Sequence, residues 1–122
     1  NRMEFNMNSC TPMLDHAAVI PLTHELFAND AIFFTDLRSK KVTLKNPATG
    51  YGVEVSYPDF ATVAFWTAAA TKAPFLCVEP WNGSAIRSDE DDNFLNRHFL
   101  QKLEGEASKE YRIEIKKISQ QL

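Results

Sequence analysis

The sequence predicts an all-β fold, a sandwich or barrel, from two observations: about seven short strand-like runs recur along the chain, and turn chemistry separates them. A third observation says that such a fold can bury a core. The chain has 122 residues, 44% hydrophobic and 24% charged, which suits one soluble globular domain over residues 1–122.

The elements follow in order. Met3 to Met7 alternates apolar and polar residues as a half-buried strand does, and Ser9 to Asp15, with Pro12, reads as a loop. Because Asn1 leads directly into that strand pattern, the chain is expected to begin inside a domain. Ala17 to Ile20 is a short apolar run ended by Pro21, and Thr23 to Phe27 suits a single helical turn capped by Thr23, broken at Asn29-Asp30. Ala31 to Phe34 is a strand, and a charged turn over Asp36 to Lys40 leads into the alternating strand Lys41 to Lys45. Asn46 to Gly50 is a turn. Tyr51, Val53, Val55 and Tyr57 then share one face of the clearest strand in the chain, closed by Pro58-Asp59.

Thr62 to Trp66 is a further strand, and Thr67 to Lys72 a small-residue loop or a brief turn. Phe75 to Val78 is continuously apolar, which suits a strand covered on both faces and ended by Glu79-Pro80. Ser84 to Asn93 reads as an exposed acidic loop, and Leu95 to Leu103 fits either a strand or an irregular segment. Glu110 to Ile115 has period 2, with Tyr111, Ile113 and Ile115 expected inward.

Charge and composition narrow the function classes. Thirteen Lys and Arg against 16 Asp and Glu give a net charge of -3 and a pI near 5.6, so no basic field gathers phosphates and nucleic acid is not an expected partner. No apolar run approaches the roughly 20 residues that span a bilayer, so no membrane association is expected. Cys10 and Cys77 lie far apart, and Cys77 falls in an apolar run where a reduced thiol packs well; the expected setting is cytoplasmic. The acidic run Asp89 to Asp92 lacks the glycine and spacing of a calcium loop and reads as solvated, so no metal site is expected.

The most unusual segment is Pro74-Phe-Leu-Cys-Val-Glu-Pro-Trp-Asn-Gly83, where an apolar strand delivers one carboxylate, Glu79. A rigid strand presenting a lone acid at the mouth of a pocket suits general acid-base chemistry, and Trp81 beside it offers a flat apolar face that suits the C–H face of a sugar ring. The plainer alternative leaves Glu79 a solvated strand residue and Trp81 part of the core.

A resemblance weighs between them. Leu26-Phe27-Ala28-Asn29-Asp30-Ala31-Ile32, then Ser39 to Leu44, Phe65-Trp66-Thr67, Ala73 to Gly83 and Leu103-Glu104-Gly105-Glu106 follow one another in an order similar to the aldose 1-epimerase (galactose mutarotase-like) family. The likeness is greatest to its bacterial branch, with an apolar-Glu-Pro-Trp-x-Gly motif, and runs from Ile20 onward. It implies a large antiparallel β-sandwich, the galactose mutarotase-like supersandwich, of which this chain is the C-terminal portion. It also implies an isomerase that interconverts the α and β anomers of aldoses with no metal or organic cofactor.

In that family a glutamate takes the proton from the O1 hydroxyl while a histidine protonates the ring oxygen. The ring opens, C1–C2 rotates, and reclosure gives the other anomer. By position, Glu79 matches the base and Asp30 the aspartate that holds sugar hydroxyls, with Trp81 lining the site. The family's histidine and a substrate-binding arginine belong to a region upstream of the part matched; His16, His24 and His98 fall outside the expected motif. A part-sandwich would expose strand edges and an apolar face, so an N-terminal segment or a second copy is expected to cover them. The alternatives are a carbohydrate-binding protein on the same fold without the acid, and a structural fragment with no ligand.

Overall fold

The computed structural model describes residues 4, 5, 13, 17–35 and 37–119. Most of the expected strand at Met3 to Met7, most of the loop at Ser9 to Asp15, and the residues Cys10, His16 and Asp36 lie outside the described residues. Among those described there is no α-helix. The chain runs through β1 (Glu4–Phe5), β2 (Ile32–Phe34), β3 (Lys41–Lys45), β4 (Gly52–Ser56), β5 (Thr62–Trp66), β6 (Cys77–Trp81), β7 (Ile86–Arg87) and β8 (Glu114–Ile118). Three short 3-10 turns, His24–Phe27, Ala69–Thr71 and Phe94–Asn96, punctuate it.

Two three-stranded antiparallel sheets carry the fold, in the orders β2-β5-β6 and β3-β4-β8. A separate two-residue parallel pairing joins β1 to β7. Directly paired residues share a face of a sheet, so the registers assign every side chain to a side. In the first sheet Phe34, Val63, Phe65 and Val78 fall on one face; in the second, Val42, Val55 and Tyr57 do so. These two faces meet in one apolar cluster centred on Val55, Tyr57 and Val63, and the layers form a small sandwich. The Tyr57 hydroxyl donates to the Ser39 carbonyl at 3.4 Å, and burial pushes its pKa up.

The β3–β4 hairpin depends on a close approach at its turn end. Gly52 pairs with Lys45, and a Cβ there would stand 2.4 Å from the Leu44 carbonyl oxygen, so no side chain fits without moving backbone.

Four expectations about elements need correction. The apolar run at Phe75 to Val78 does not start a strand covered on both faces: Phe75 is half exposed, and β6 begins at Cys77. Nor does Glu79-Pro80 end it, because β6 continues to Trp81. As an edge strand, β6 accommodates a proline without an N–H on the side away from β5. The loop at Ser84 to Asn93 contains β7, paired with β1, a partner too distant in sequence for local pattern to reveal.

The last strand starts at Glu114 rather than Glu110, and Tyr111, Ile113 and Ile115 are exposed. Ile115 pairs with Val55 and so shares its face, yet Ile115 is 73% exposed against 9% for Val55. The first sheet covers β3 and β4 and stops short of β8. The same shortfall leaves Tyr51 and Val53 exposed while Val55, further along β4, and Tyr57 just after it are buried.

Candidate functional site

The outer face of the first sheet, turned away from the core, is built by the alternation that fills the core. Phe33 pairs with Ala64 and Ala64 with Glu79, so all three lie on it; Thr62 with Trp81, and Trp66 with Cys77, occupy the rows on either side. Glu79 is thus a mid-strand residue with an indole-bearing row before and after it. The Trp81 Nε1–H donates to Glu79 Oε2 at 3.3 Å, which steers the carboxylate along the sheet surface.

Phe33 and Trp81 come from strands on opposite sides of β5, about 9–10 Å apart at the usual spacing of neighbouring strands. Their ring centroids nevertheless lie 5.0 Å apart at 89°, an edge-to-face contact that closes over β5. The residues beneath are small and accordingly buried, Ala64 at 0% and Thr62 at 2% exposure. Small side chains on the central strand let two aromatic rings meet above it and wall one side of Glu79.

Asp30 stands apart, in the turn before β2. Its backbone has φ of 93°, a region that residues with a Cβ rarely occupy, and its carboxylate accepts from the Ala31 N–H at 2.8 Å. It lines an open cleft of about 630 Å³ together with His24, Trp66, Thr67 and Lys72. Glu79 and Trp81 are not among that lining. The structure therefore joins Glu79 to Trp81 directly, and relates Asp30 to their face through Trp66.

Asn82 and Gly83, which complete the motif, have structural duties. The Asn82 side chain accepts from the Ala61 N–H and donates to the Asp59 carbonyl, each at 3.0 Å, and so pins the β4–β5 turn. Gly83 has φ of 98°, open to glycine at no steric cost. Sequence reasoning singled out Trp81 but passed over Phe33 and Trp66 as site residues. Each sat visibly in a strand pattern, yet only the register across β2, β5 and β6 places them around Glu79.

The two described histidines already hold hydrogen-bond partners. His24 donates from Nε2 to the Ala73 carbonyl at 3.0 Å, and His98 from Nδ1 to Glu90 at 3.2 Å. The acidic run is knitted into its own loop rather than simply solvated. Arg87 forks onto Asp89 at 2.9 and 2.7 Å, Glu90 also faces Arg97 at 3.7 Å, and Asp91 accepts from the Asn96 amide and the Asn93 N–H. Burial opposes ionisation of Glu90, whose side chain is 6% exposed, but hydrogen bonds from His98 and Arg87 and the charge of Arg97 outweigh it and hold its pKa below the ordinary carboxylate range. The Arg87 fork lowers Asp89, and the Asn96 amide lowers Asp91. Among the described residues no group of three or more His, Cys, Asp or Glu could hold a metal ion. No helix among them is long and apolar enough to cross a membrane.

Comparison with known proteins bears on this geometry. The chain is homologous over part of its length to Protein LacX of Lactococcus lactis subsp. lactis. The chromosomal and the plasmid forms are each 35% identical to it over 80 residues, 66% of this chain. That match spans about a quarter of the length of these curated relatives, 26% in each case. No protein-family model and no solved structure matches the chain.

Proposed function

We propose that the chain is the C-terminal portion of an aldose 1-epimerase-like isomerase, with Glu79 as the base that takes the O1 proton of an aldose and Asp30 as the acceptor of sugar hydroxyls. The observation that carries the reading is the setting of Glu79: one carboxylate on a rigid strand, held by the Trp81 indole and walled by the Phe33 ring. A flat aromatic surface beside a fixed carboxylate binds the apolar face of a pyranose and leaves its anomeric hydroxyl within reach of a base. Trp81 lines that surface. The order of motifs from Leu26 to Glu106 supports the same assignment.

The acid that would protonate the ring oxygen is proposed to come from upstream, since His24 and His98 are bonded to Ala73 and Glu90. That engagement also favours a second reading, a carbohydrate-binding protein on the same fold with no acid partner. The exposed apolar residues Tyr51, Val53, Ile113 and Ile115 are proposed to be covered by an upstream segment or a second copy.

Polarimetry on a freshly dissolved α-anomeric sugar separates the two functional readings. The full-length protein should accelerate mutarotation, and Glu79→Gln, which keeps an acceptor for the Trp81 indole, should fall to near the background rate. An unchanged rate in that variant removes Glu79 as the base. Saturable sugar binding without acceleration by the unaltered protein establishes the binding reading instead.

A further inference from the structure

The Asp30 cleft and the Glu79 face share one side chain. Trp66 ends β5 on the outer face, one same-face row from the Ala64–Glu79 pair, which is about 7 Å along an extended strand. The same residue lines the cleft that holds Asp30. Its ring is braced by Phe75, with centroids 5.9 Å apart at 51°. The cleft walls are braced as well: the Thr67 hydroxyl and His24 Nε2 both donate to the Ala73 carbonyl, at 3.5 and 3.0 Å, tying the 3-10 turn at His24–Phe27 to the loop before β6.

A cleft of about 630 Å³ falls within the range of small-molecule sites, and an indole set among polar groups is a surface on which the C–H face of a ring can stack. Among the described residues its charged lining is Glu25 and Asp30 against Lys72, beside His24. Two carboxylates against one lysine repel a phosphate.

We infer that Trp66 is the stacking platform for the aldose, holding its ring between Asp30 and Glu79, and that the site takes a neutral sugar in preference to its phosphate ester. This rests on the sugar reading above and adds to it a residue and a substrate class.

Comparing the indole N–H NMR resonances of the full-length protein with those of Trp66→Phe identifies the one that belongs to Trp66. Titrating the full-length protein with D-glucose or D-galactose should shift the Trp66 resonance saturably, whereas the corresponding 6-phosphates should bind at least about tenfold more weakly. Trp66→Ala should weaken neutral-sugar binding by about tenfold or more with the circular dichroism spectrum retained. Trp66→Phe, which keeps an aromatic ring against Phe75, should restore most of it.

Equal binding by Trp66→Ala, equal or tighter binding of the phosphates, or a Trp66 resonance that no neutral sugar moves would each overturn the inference. The base assignment fails separately: unchanged mutarotation by Glu79→Gln removes it while leaving a sugar-dependent Trp66 shift intact.

Discussion

The two sheets each present an apolar face away from the shared core or beyond it, and the two faces differ in kind. On the first sheet, Phe33, Trp66 and Trp81 surround one carboxylate, and ring contacts and an indole hydrogen bond hold the group in place. On the second, Val53 and Ile115, with Tyr51 and Ile113 just outside the strands, are left exposed past the edge of the covering sheet, and Lys117 pairs with Val53. An aromatic frame around a polar group suits a small ligand, whereas aliphatic side chains continuing a buried core suit more protein.

The largest expected effect lies on the first face. In mutarotation assays Glu79→Gln should lose on the order of 10²–10⁴-fold in rate, the usual worth of a general base. Next comes the core between the sheets: Val63→Ala, at 1% exposure, should cost about 2–3 kcal/mol in denaturant unfolding. On the second face, Ile115→Thr should cost about 1–2 kcal/mol in the full-length protein, because the proposed cover buries a residue that this chain alone leaves 73% exposed. A cost below about 0.5 kcal/mol, the level of an ordinary surface change, would mean that nothing covers that face.

Asp30→Gly should separate stability from function. Glycine accepts φ of 93° without strain, so thermal stability should hold or rise by about 1 kcal/mol while sugar binding falls. A parallel loss of both would make Asp30 a structural residue of its turn. The smallest effect is local. Asp89, Glu90 and Asp91 have pKa values below the ordinary carboxylate range, so the order they lend to residues 84–98 is present throughout neutral pH. It is lost as pH falls through their lowered values, and amide hydrogen exchange in that loop should quicken only in acid. Exchange that is already fast at neutral pH would mean that these carboxylates do not order the loop.

Much of the fold was legible because alternation is local. The strands Lys41–Lys45 and Thr62–Trp66 appear where the pattern puts them, and Ile32–Phe34 and Gly52–Ser56 fall within the expected runs. The errors cluster where a distant partner decides. β7 exists through its pairing with β1, and β6 runs on through Pro80 because it is an edge strand. Tyr111, Ile113 and Ile115 alternate correctly but have no sheet above them.

For the candidate site, the sequence determined that an apolar run would deliver a lone carboxylate with a tryptophan two residues on, but it ended the strand at Glu79-Pro80 and so did not put the two on one face. It could not determine which strands flank that one, or in what register. Tertiary structure decided that Phe33 closes over Ala64 to reach Trp81, that Trp66 lies one row from Glu79 and also lines the Asp30 cleft, and that both described histidines already hold hydrogen-bond partners. The physical reason is that the side-chain period of a strand is intrinsic to its backbone, whereas its neighbours are chosen by how whole faces bury one another.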